Sequence, residues 1–144
     1  MILLLRHASA GDSAAWEGDD RARPLDKRGR KQAQALVEQL GSFEPVVIVS
    51  SPYLRCLQTV EPLARSLGVE VDVRGELGYE RHDGETRALV ESLAGLTAVV
   101  CGHGGLESVV LGDGAPKWRK GATFVLDDEL RLVEAMRADS ERPR

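Results

Sequence analysis

The chain has 144 residues, of which 42% are hydrophobic and 29% are charged, and its formal net charge at pH 7 is −4. This length and balance indicate one globular domain and exclude a disordered or fibrous protein. The acidic charge argues against nucleic acids and membranes as partners, because both would select a basic face. Two cysteines without CxxC spacing, and a first segment that reads as a strand rather than a leader, predict a reduced, cytoplasmic protein.

The first half of the chain alternates between short apolar runs and helical periodicity, a pattern that predicts βαβ units. Asp26 is suited to cap a helix, and glycine is suited to end one. The elements expected in chain order are a strand at 2–5, a long polar loop at 8–25, a helix from Asp26 to Gly41, a strand at 46–49, and a helix that is bent or restarted at Pro62 and stops at Gly68.

The second half continues the pattern and adds a hairpin. Its expected elements are a half-exposed strand at 69–73, a charged loop at 75–85, a short helix at 85–93, a buried strand at 98–101, and a hairpin of 123–126 and 130–133. Continuous apolar runs are typical of parallel strands with both faces covered. We therefore expect a mainly parallel sheet.

Reactive side chains follow three of the apolar runs. Arg6 and His7 follow the first run, Ser51 and Arg55 follow the second, and His103 follows the third. Ligands of open α/β sheets bind beyond the carboxyl ends of the strands, so neighbouring strands would bring these loops to one edge. Two imidazoles and two guanidiniums at one edge predict an anion site that contains a nucleophile.

The segments that carry these residues resemble the histidine phosphatase superfamily, also called the phosphoglycerate mutase-like fold. They are the Leu-x-Arg-His start, Ser50-Ser51-Pro52-x-x-Arg55-x-x-x-Thr59 and Gly102-His103-Gly104. The resemblance implies an α/β fold, a single-domain three-layer sandwich with a mainly parallel central sheet. We expect this domain at 1–137 and a frayed tail at 138–144.

Within the superfamily, Arg23-Pro24-Leu25-x-x-x-Gly29 is similar to the SixA branch, the protein phosphohistidine phosphatases. The segments 16–20 and 55–63 are similar to the phosphatase domain that follows a Nudix domain in some actinobacterial proteins. This chain carries no Nudix signature. It also has Ala8 where the family usually has glycine, which alanine can replace if the backbone φ is negative.

The resemblance implies a role for each residue, and the chemistry of the residue types agrees with it. His7 is the expected nucleophile, since a neutral imidazole can attack phosphorus and the phosphoimidazole is labile to water. Arg6 and Arg55, with Arg23 as a further candidate, would offset charge on the nonbridging oxygens. His103 would add a donor if it is protonated. This scheme requires no metal and no cofactor.

Three further residues complete the predicted site. Glu80 is the candidate general acid, because Glu76-Leu77-x-x-Glu80 resembles the acid loop of the mutases. Ser51 and Gly104 are candidates for contact with the phosphate. A phosphohistidine substrate places little demand on the acid, because imidazole, with a pKa near 6.5, leaves more readily than an alcohol.

The sequence leaves several functions open. A phosphohistidine phosphatase acting on a protein is favoured, and a small-molecule or nucleotide phosphatase and a noncatalytic phosphate-binding module are the alternatives. A metal site of His7, His103 and a loop aspartate is disfavoured, because two arginines would repel a cation. The remaining charges, at 19–21 and 117–120, are expected to solvate their segments, although the second group could hold an acidic partner. Cys56 and Cys101 are expected to be packing residues.

Overall fold

The computed structural model describes residues 1–138, which form an α/β domain around a six-stranded sheet with the order β3-β2-β4-β1-β5-β6. The strands are β1 Ile2–Arg6, β2 Val47–Ser50, β3 Val71–Val73, β4 Ala98–Gly102, β5 Thr123–Leu126 and β6 Leu132–Met136. The first four strands are parallel, whereas β5 is antiparallel to β1 and β6 is antiparallel to β5. The prediction of a mainly parallel sheet is confirmed.

Helices cover both faces of this sheet. They are α1 Lys27–Gly41, α2 Leu54–Leu67, α3 Asp83–Leu93 and α4 Leu106–Leu111, with 3₁₀ turns at Asp20–Ala22 and Gly75–Leu77. Alternate side chains of a strand point to opposite faces. In β1, Leu3 and Leu5 pack with α1 and α2, and Ile2 and Leu4 pack with α3 and α4. The predicted three-layer sandwich is therefore confirmed. None of the helices described is long and apolar enough to cross a bilayer.

Asp26 and Gly29 join the start of α1 to the loop after β1. Asp26 accepts hydrogen bonds from Gly29 N at 2.8 Å, from Ser9 Oγ at 2.8 Å and from Gly11 N at 3.0 Å. A Cβ on Gly29 would lie 1.9 Å from the carbonyl oxygen of Ser9, so only glycine permits this approach. The predicted cap at Asp26 is confirmed, and the motif that ends at Gly29 anchors the loop beyond β1.

Several elements differ from the prediction; β2 spans Val47–Ser50 instead of 46–49, and β3 begins at Val71 instead of residue 69. α2 continues through Pro62 without a restart, because the residues around it are buried and their packing outweighs the lost backbone hydrogen bond. α3 begins at Asp83, two residues earlier than expected. β6 begins at Leu132 because Leu130, with a φ of 61°, belongs to the turn. The predicted tail lies outside the described residues from residue 139 onward.

Candidate active site

The loops after β1, β2 and β4 meet at one edge of the sheet. β4 lies between β1 and β2, and the three strands run in the same direction. The N–H of His7 donates to Gly102 O at 3.0 Å and that of Ser51 donates to Cys101 O at 3.0 Å, which joins both loops to the end of β4. The ring centroids of His7 and His103 lie 5.4 Å apart. The predicted convergence of these loops is confirmed.

His7 is held as a neutral imidazole with one free nitrogen. Its Nδ1 lies 2.8 Å from the carbonyl oxygen of Ala8, so Nδ1 carries the proton and Nε2 keeps its lone pair. Burial lowers the pKa of His7 to about 4; the hydrogen bond to Ala8 opposes this shift, and the charges of Arg55 and Arg6 assist it. The ring is therefore uncharged at neutral pH, which is the form that acts as a nucleophile.

The backbone beside His7 is fixed by the helix that carries Arg55. Ala8 N donates to Thr59 Oγ1 at 2.9 Å, and the Thr59 hydroxyl donates to the carbonyl oxygen of Arg55 at 2.6 Å. Ala8 does not have a positive φ, so alanine fits here as predicted. The position of His7 is thus coupled to that of Arg55 through one threonine.

His103 is also neutral, and its tautomer follows from its neighbours. Ser51 Oγ accepts a hydrogen bond from Tyr53 N at 3.2 Å and lies 2.8 Å from His103 Nε2, so its hydroxyl proton is directed to that nitrogen. The ring proton of His103 is then on Nδ1. Burial lowers the pKa of His103 to about 3, and the charge of Arg55 adds to this effect. His103 therefore offers an N–H donor without a positive charge.

Arg6 lies between the histidine loop and the segment before β5. Its Nη1 donates to the carbonyl oxygen of Trp118 at 2.8 Å. Its guanidinium also packs on Gly104, where a Cβ would come within 3.2 Å of Arg6 Cζ. In this structure Gly104 makes room for Arg6, and its predicted contact with the phosphate stays a prediction. Sequence reasoning missed Trp118, because its contribution is a backbone carbonyl.

Arg55 is 1% exposed and is held by a carboxylate that the sequence analysis assigned to solvent. Its Nη1 donates to Asp20 O at 2.8 Å and its Nη2 donates to Asp20 Oδ2 at 3.0 Å. Arg23 donates to Asp20 Oδ1 at 3.0 Å and to Ala10 O at 2.5 Å. The prediction that Asp20 only solvates its loop is wrong, because Asp20 links two arginines. These hydrogen bonds join Arg23 to the first loop, so its role at the phosphate stays a prediction.

Glu80 and two tyrosines form the outer part of the site. Tyr53 donates its hydroxyl proton to Glu80 Oε1 at 3.0 Å, and its ring stands edge-on to His103 at 4.7 Å between centroids. The ring of Tyr79 lies 4.2 Å from that of His103 and is 51% exposed. Sequence reasoning missed both tyrosines, although each directly adjoins a residue of a motif, Pro52 or Glu80.

Three side chains of the site keep a buried nitrogen without a hydrogen-bond partner among the described residues. These atoms are Arg6 Nε, Arg55 Nε and His103 Nδ1. A buried donor left without a partner costs about 1–3 kcal/mol, so such groups are typical of a site that receives an acceptor. Donors on two guanidiniums and one imidazole fit a tetrahedral oxyanion, and the free Nε2 of His7 can attack its central atom.

The described residues support neither metal-ion nor thiol chemistry at the site. Within residues 1–138 there is no group of three or more His, Cys, Asp or Glu side chains arranged to hold a metal ion. Cys56 and Cys101 are fully buried free thiols, and burial raises the pKa of Cys101 well above its ordinary value. Both cysteines pack in the core between the sheet and the α1–α2 layer, as predicted.

Solved structures with the same fold include members of the SixA group. A SixA structure from Agrobacterium tumefaciens is 22% identical with a TM-score of 0.77, covering 94% of this chain and 96% of that one. The protein histidine phosphatase SixA complexed with tungstate is 23% identical with a TM-score of 0.76, covering 95% and 96%. A mycobacterial glucosyl-3-phosphoglycerate phosphatase is 20% identical with a TM-score of 0.69, covering 95% and 97%. These likenesses show the fold.

The sequence itself matches a protein family and curated relatives. The 8-oxo-(d)GTP phosphatase of Mycolicibacterium smegmatis is 52% identical over 66 residues, which are 46% of this chain and 20% of that protein. The matched part is thus about a fifth of that relative. The model of the histidine phosphatase superfamily (branch 1) matches residues 2–89, which is more than half of the chain and includes His7 and Arg55. The chain belongs to the histidine phosphatase superfamily.

Proposed function

We propose that the chain is a metal-independent phosphohydrolase that works through a phosphohistidine at His7. The observation that carries this proposal is the unprotonated Nε2 of His7, fixed by the bond from Nδ1 to Ala8 O, beside the unpartnered donors of Arg6, Arg55 and His103. A noncatalytic phosphate-binding module would need the arginines but would have no use for a fixed, neutral imidazole.

In the first step, Nε2 of His7 forms a bond to phosphorus while the bond to the leaving group breaks. Arg6 and Arg55 offset the charge on the nonbridging oxygens, which is the main demand of phosphoryl transfer. The Nδ1 hydrogen of His103 donates to one of these oxygens. In the second step, water attacks the phosphohistidine, the P–N bond breaks, and phosphate leaves with His7 restored as a neutral ring.

Glu80 is the proposed proton donor to the leaving group. Its carboxyl is exposed and accepts a hydrogen bond from Tyr53, whose ring packs against His103. Because its carboxyl is exposed to water, Glu80 is less firmly positioned than a buried general acid would be. Leaving groups that need little protonation are therefore the most favourable substrates for this site.

The experiment that tests the intermediate uses labelled substrate and a quench without acid, because phosphohistidine is acid-labile. We expect label on the wild-type protein, no label on His7→Ala, and a loss of turnover of at least about 10⁴-fold in that variant, as for other nucleophiles. His82→Ala is the matched control, since His82 is exposed and lies at the start of α3. Label that persists in His7→Ala would refute the assignment.

Metal independence has its own measurement. Arginine and imidazole donors supply the charge that metal ions supply in other phosphatases, so turnover should be unchanged in EDTA and blocked by vanadate or tungstate. Activity that disappears in EDTA and returns with a divalent ion would contradict this part of the proposal.

The comparisons bear unequally on two candidate classes of substrate. The identity to the 8-oxo-(d)GTP phosphatase, 52% over 66 residues, supports a nucleoside phosphate. Similarity to SixA structures, at 22–24% identity, supports only the shared fold. The sequence analysis favoured phosphohistidine on a protein; the higher identity reverses that order, and phosphohistidine becomes the second candidate.

A panel of substrates at equal concentration decides between them. The panel contains nucleoside phosphates, a phosphohistidine protein, a sugar phosphate and p-nitrophenyl phosphate. We expect the highest kcat/KM with a nucleoside phosphate. Turnover of the phosphohistidine protein with none of the nucleotides would establish the second candidate instead.

A further inference from the structure

A basic groove lies beside Arg6, between the loop after β1, the start of α1 and the segment before β5. Its cavity of about 280 Å³ is lined by Arg6, Ser9, Arg28, Gln32, Lys117, Arg119 and Lys120. Among residues 1–138, no carboxylate is part of this lining, although the whole chain carries a net charge of −4. Such a local excess of positive charge attracts an anion.

Buried anchors hold the segment that supplies three of these cations. Trp118 is 3% exposed, and its Nε1 donates to Ala122 O at 3.1 Å. Lys117 and Arg119, its two neighbours, are exposed. Gly121 N donates to the carbonyl oxygens of Arg6 at 3.1 Å and His7 at 3.0 Å, so the segment is bound to the end of β1. The cations are thereby held at the nucleophile loop instead of extending freely into solvent.

The three cations of this segment also lack acidic partners among the described residues. Among the described residues, no salt bridge involves Lys117, Arg119 or Lys120. By contrast, Arg21, Arg65 and Arg87 on other surfaces each pair with a neighbouring carboxylate. The groove therefore differs from an ordinary solvated surface, where opposite charges alternate.

Arg6 connects the groove to the reaction site. It lines the groove and, together with Lys120, contributes positive charge at His7. A phosphoryl group at His7 and a second anion in the groove would thus both contact the Arg6 guanidinium. This proximity fits two phosphates of one molecule, because adjacent phosphates of a diphosphate are separated by a single bridging oxygen.

We propose that this groove, formed by Lys117, Arg119 and Lys120 beside Arg6, binds the second phosphate of the substrate and makes a nucleoside diphosphate the preferred substrate. This inference rests on the proposed function. The terminal phosphate reacts at His7, and the phosphate that remains on the product lies in the groove. A nucleoside monophosphate has no second phosphate to place there.

The test compares GDP, GMP and p-nitrophenyl phosphate with the wild type and with Lys117→Ala/Arg119→Ala. We expect KM for GDP to rise about tenfold in the variant, the size expected for two partly screened charges, with little change for GMP or p-nitrophenyl phosphate. Arg65→Ala/Arg131→Ala is the matched control, because it removes two exposed cations at the opposite edge of the sheet.

The outcomes separate this inference from the proposed function. An unchanged KM for GDP in the variant, with normal His7-dependent turnover of p-nitrophenyl phosphate, overturns the groove and leaves the phosphatase proposal intact. An acidic phosphoprotein is assayed beside these substrates; if its KM rises in the variant and that for GDP does not, the groove binds a protein and the inference is overturned. If the wild type hydrolyses none of these substrates, the proposed function itself is contradicted.

Discussion

The floor and the rim of the site are built in different ways. The floor, which we define as His7, Arg55 and His103, is at most 3% exposed, and each of its residues follows a strand of the parallel sheet. The rim, defined as Tyr79, Glu80 and the segment 117–120, is largely exposed and belongs to connecting loops. In our proposal, the sheet positions the residues that react, whereas the loops contact the rest of the substrate.

The largest difference between floor and rim should appear when Arg55 is replaced. Arg55 is the proposed buried donor to the transition state, so Arg55→Ala should lower kcat about 100-fold or more for p-nitrophenyl phosphate. Lys117→Ala, in the rim, should have little effect on that monophosphate. Steady-state kinetics with thermal unfolding of both variants separates lost catalysis from lost folding. Similar losses in the two variants would show that the boundary between floor and rim is misplaced.

Gly29 tests whether the floor depends on its supports. A Cβ at this position would lie 1.9 Å from Ser9 O, so Gly29→Ala should destabilise the domain by about 1–3 kcal/mol, as overpacked sites do, and should disturb the loop after His7. Gly84→Ala is the control near the rim, because a Cβ there meets nothing within 4 Å. Urea denaturation measures both. Equal stability of the two variants would mean that the loop accommodates the methyl group by moving.

The residues of the floor could be predicted from the sequence, because their residue types and their positions after strands identify them. Short apolar runs located β1, β2 and β4, and parallel pairing then required His7, Ser51 and His103 to meet. The partners of Arg55 could not be found in this way. Asp20 lies 35 positions away in a polar loop, and nothing in its local pattern shows that the loop folds back onto α2.

The same limit explains the errors at element boundaries and in the rim. Proline at position 62 is unfavourable in a helix in general, but the buried neighbours of Pro62 keep α2 continuous. The run at 117–120 looks like solvated charge in sequence, and only the burial of Trp118 shows that it is fixed beside Arg6. Tertiary contacts, rather than local propensity, decide these cases.

The buried histidines should give the floor a pH response that the rim lacks. The pKa of His7 is lowered to about 4 and that of His103 to about 3, so between these values and about 6.5 the folded protein binds fewer protons than the unfolded chain. The free energy of unfolding is therefore highest above about pH 6.5 and falls as the pH is lowered through this window. Denaturation at several pH values should show a shallower fall in His7→Gln than in the exposed control His82→Gln. A steeper or equal fall in His7→Gln contradicts the assignment of a neutral buried ring.

The smallest fall in kcat is expected for replacement of Glu80, in the rim, when the substrate has a good leaving group. With an alkyl phosphate the fall should be larger. Glu80→Gln removes the proposed proton donor but keeps an acceptor for the Tyr53 hydroxyl, which lies 3.0 Å from Oε1. Nitrophenolate and phosphate leaving groups depart with little protonation, so kcat should fall only about two- to fivefold, whereas an alkyl phosphate should lose about 100-fold, within the range for general acids. Measuring kcat against leaving-group pKa for wild type and variant tests this, since the variant should show the steeper dependence. If kcat depends on leaving-group pKa with the same slope in both proteins, water donates the proton and Glu80 has only a binding role.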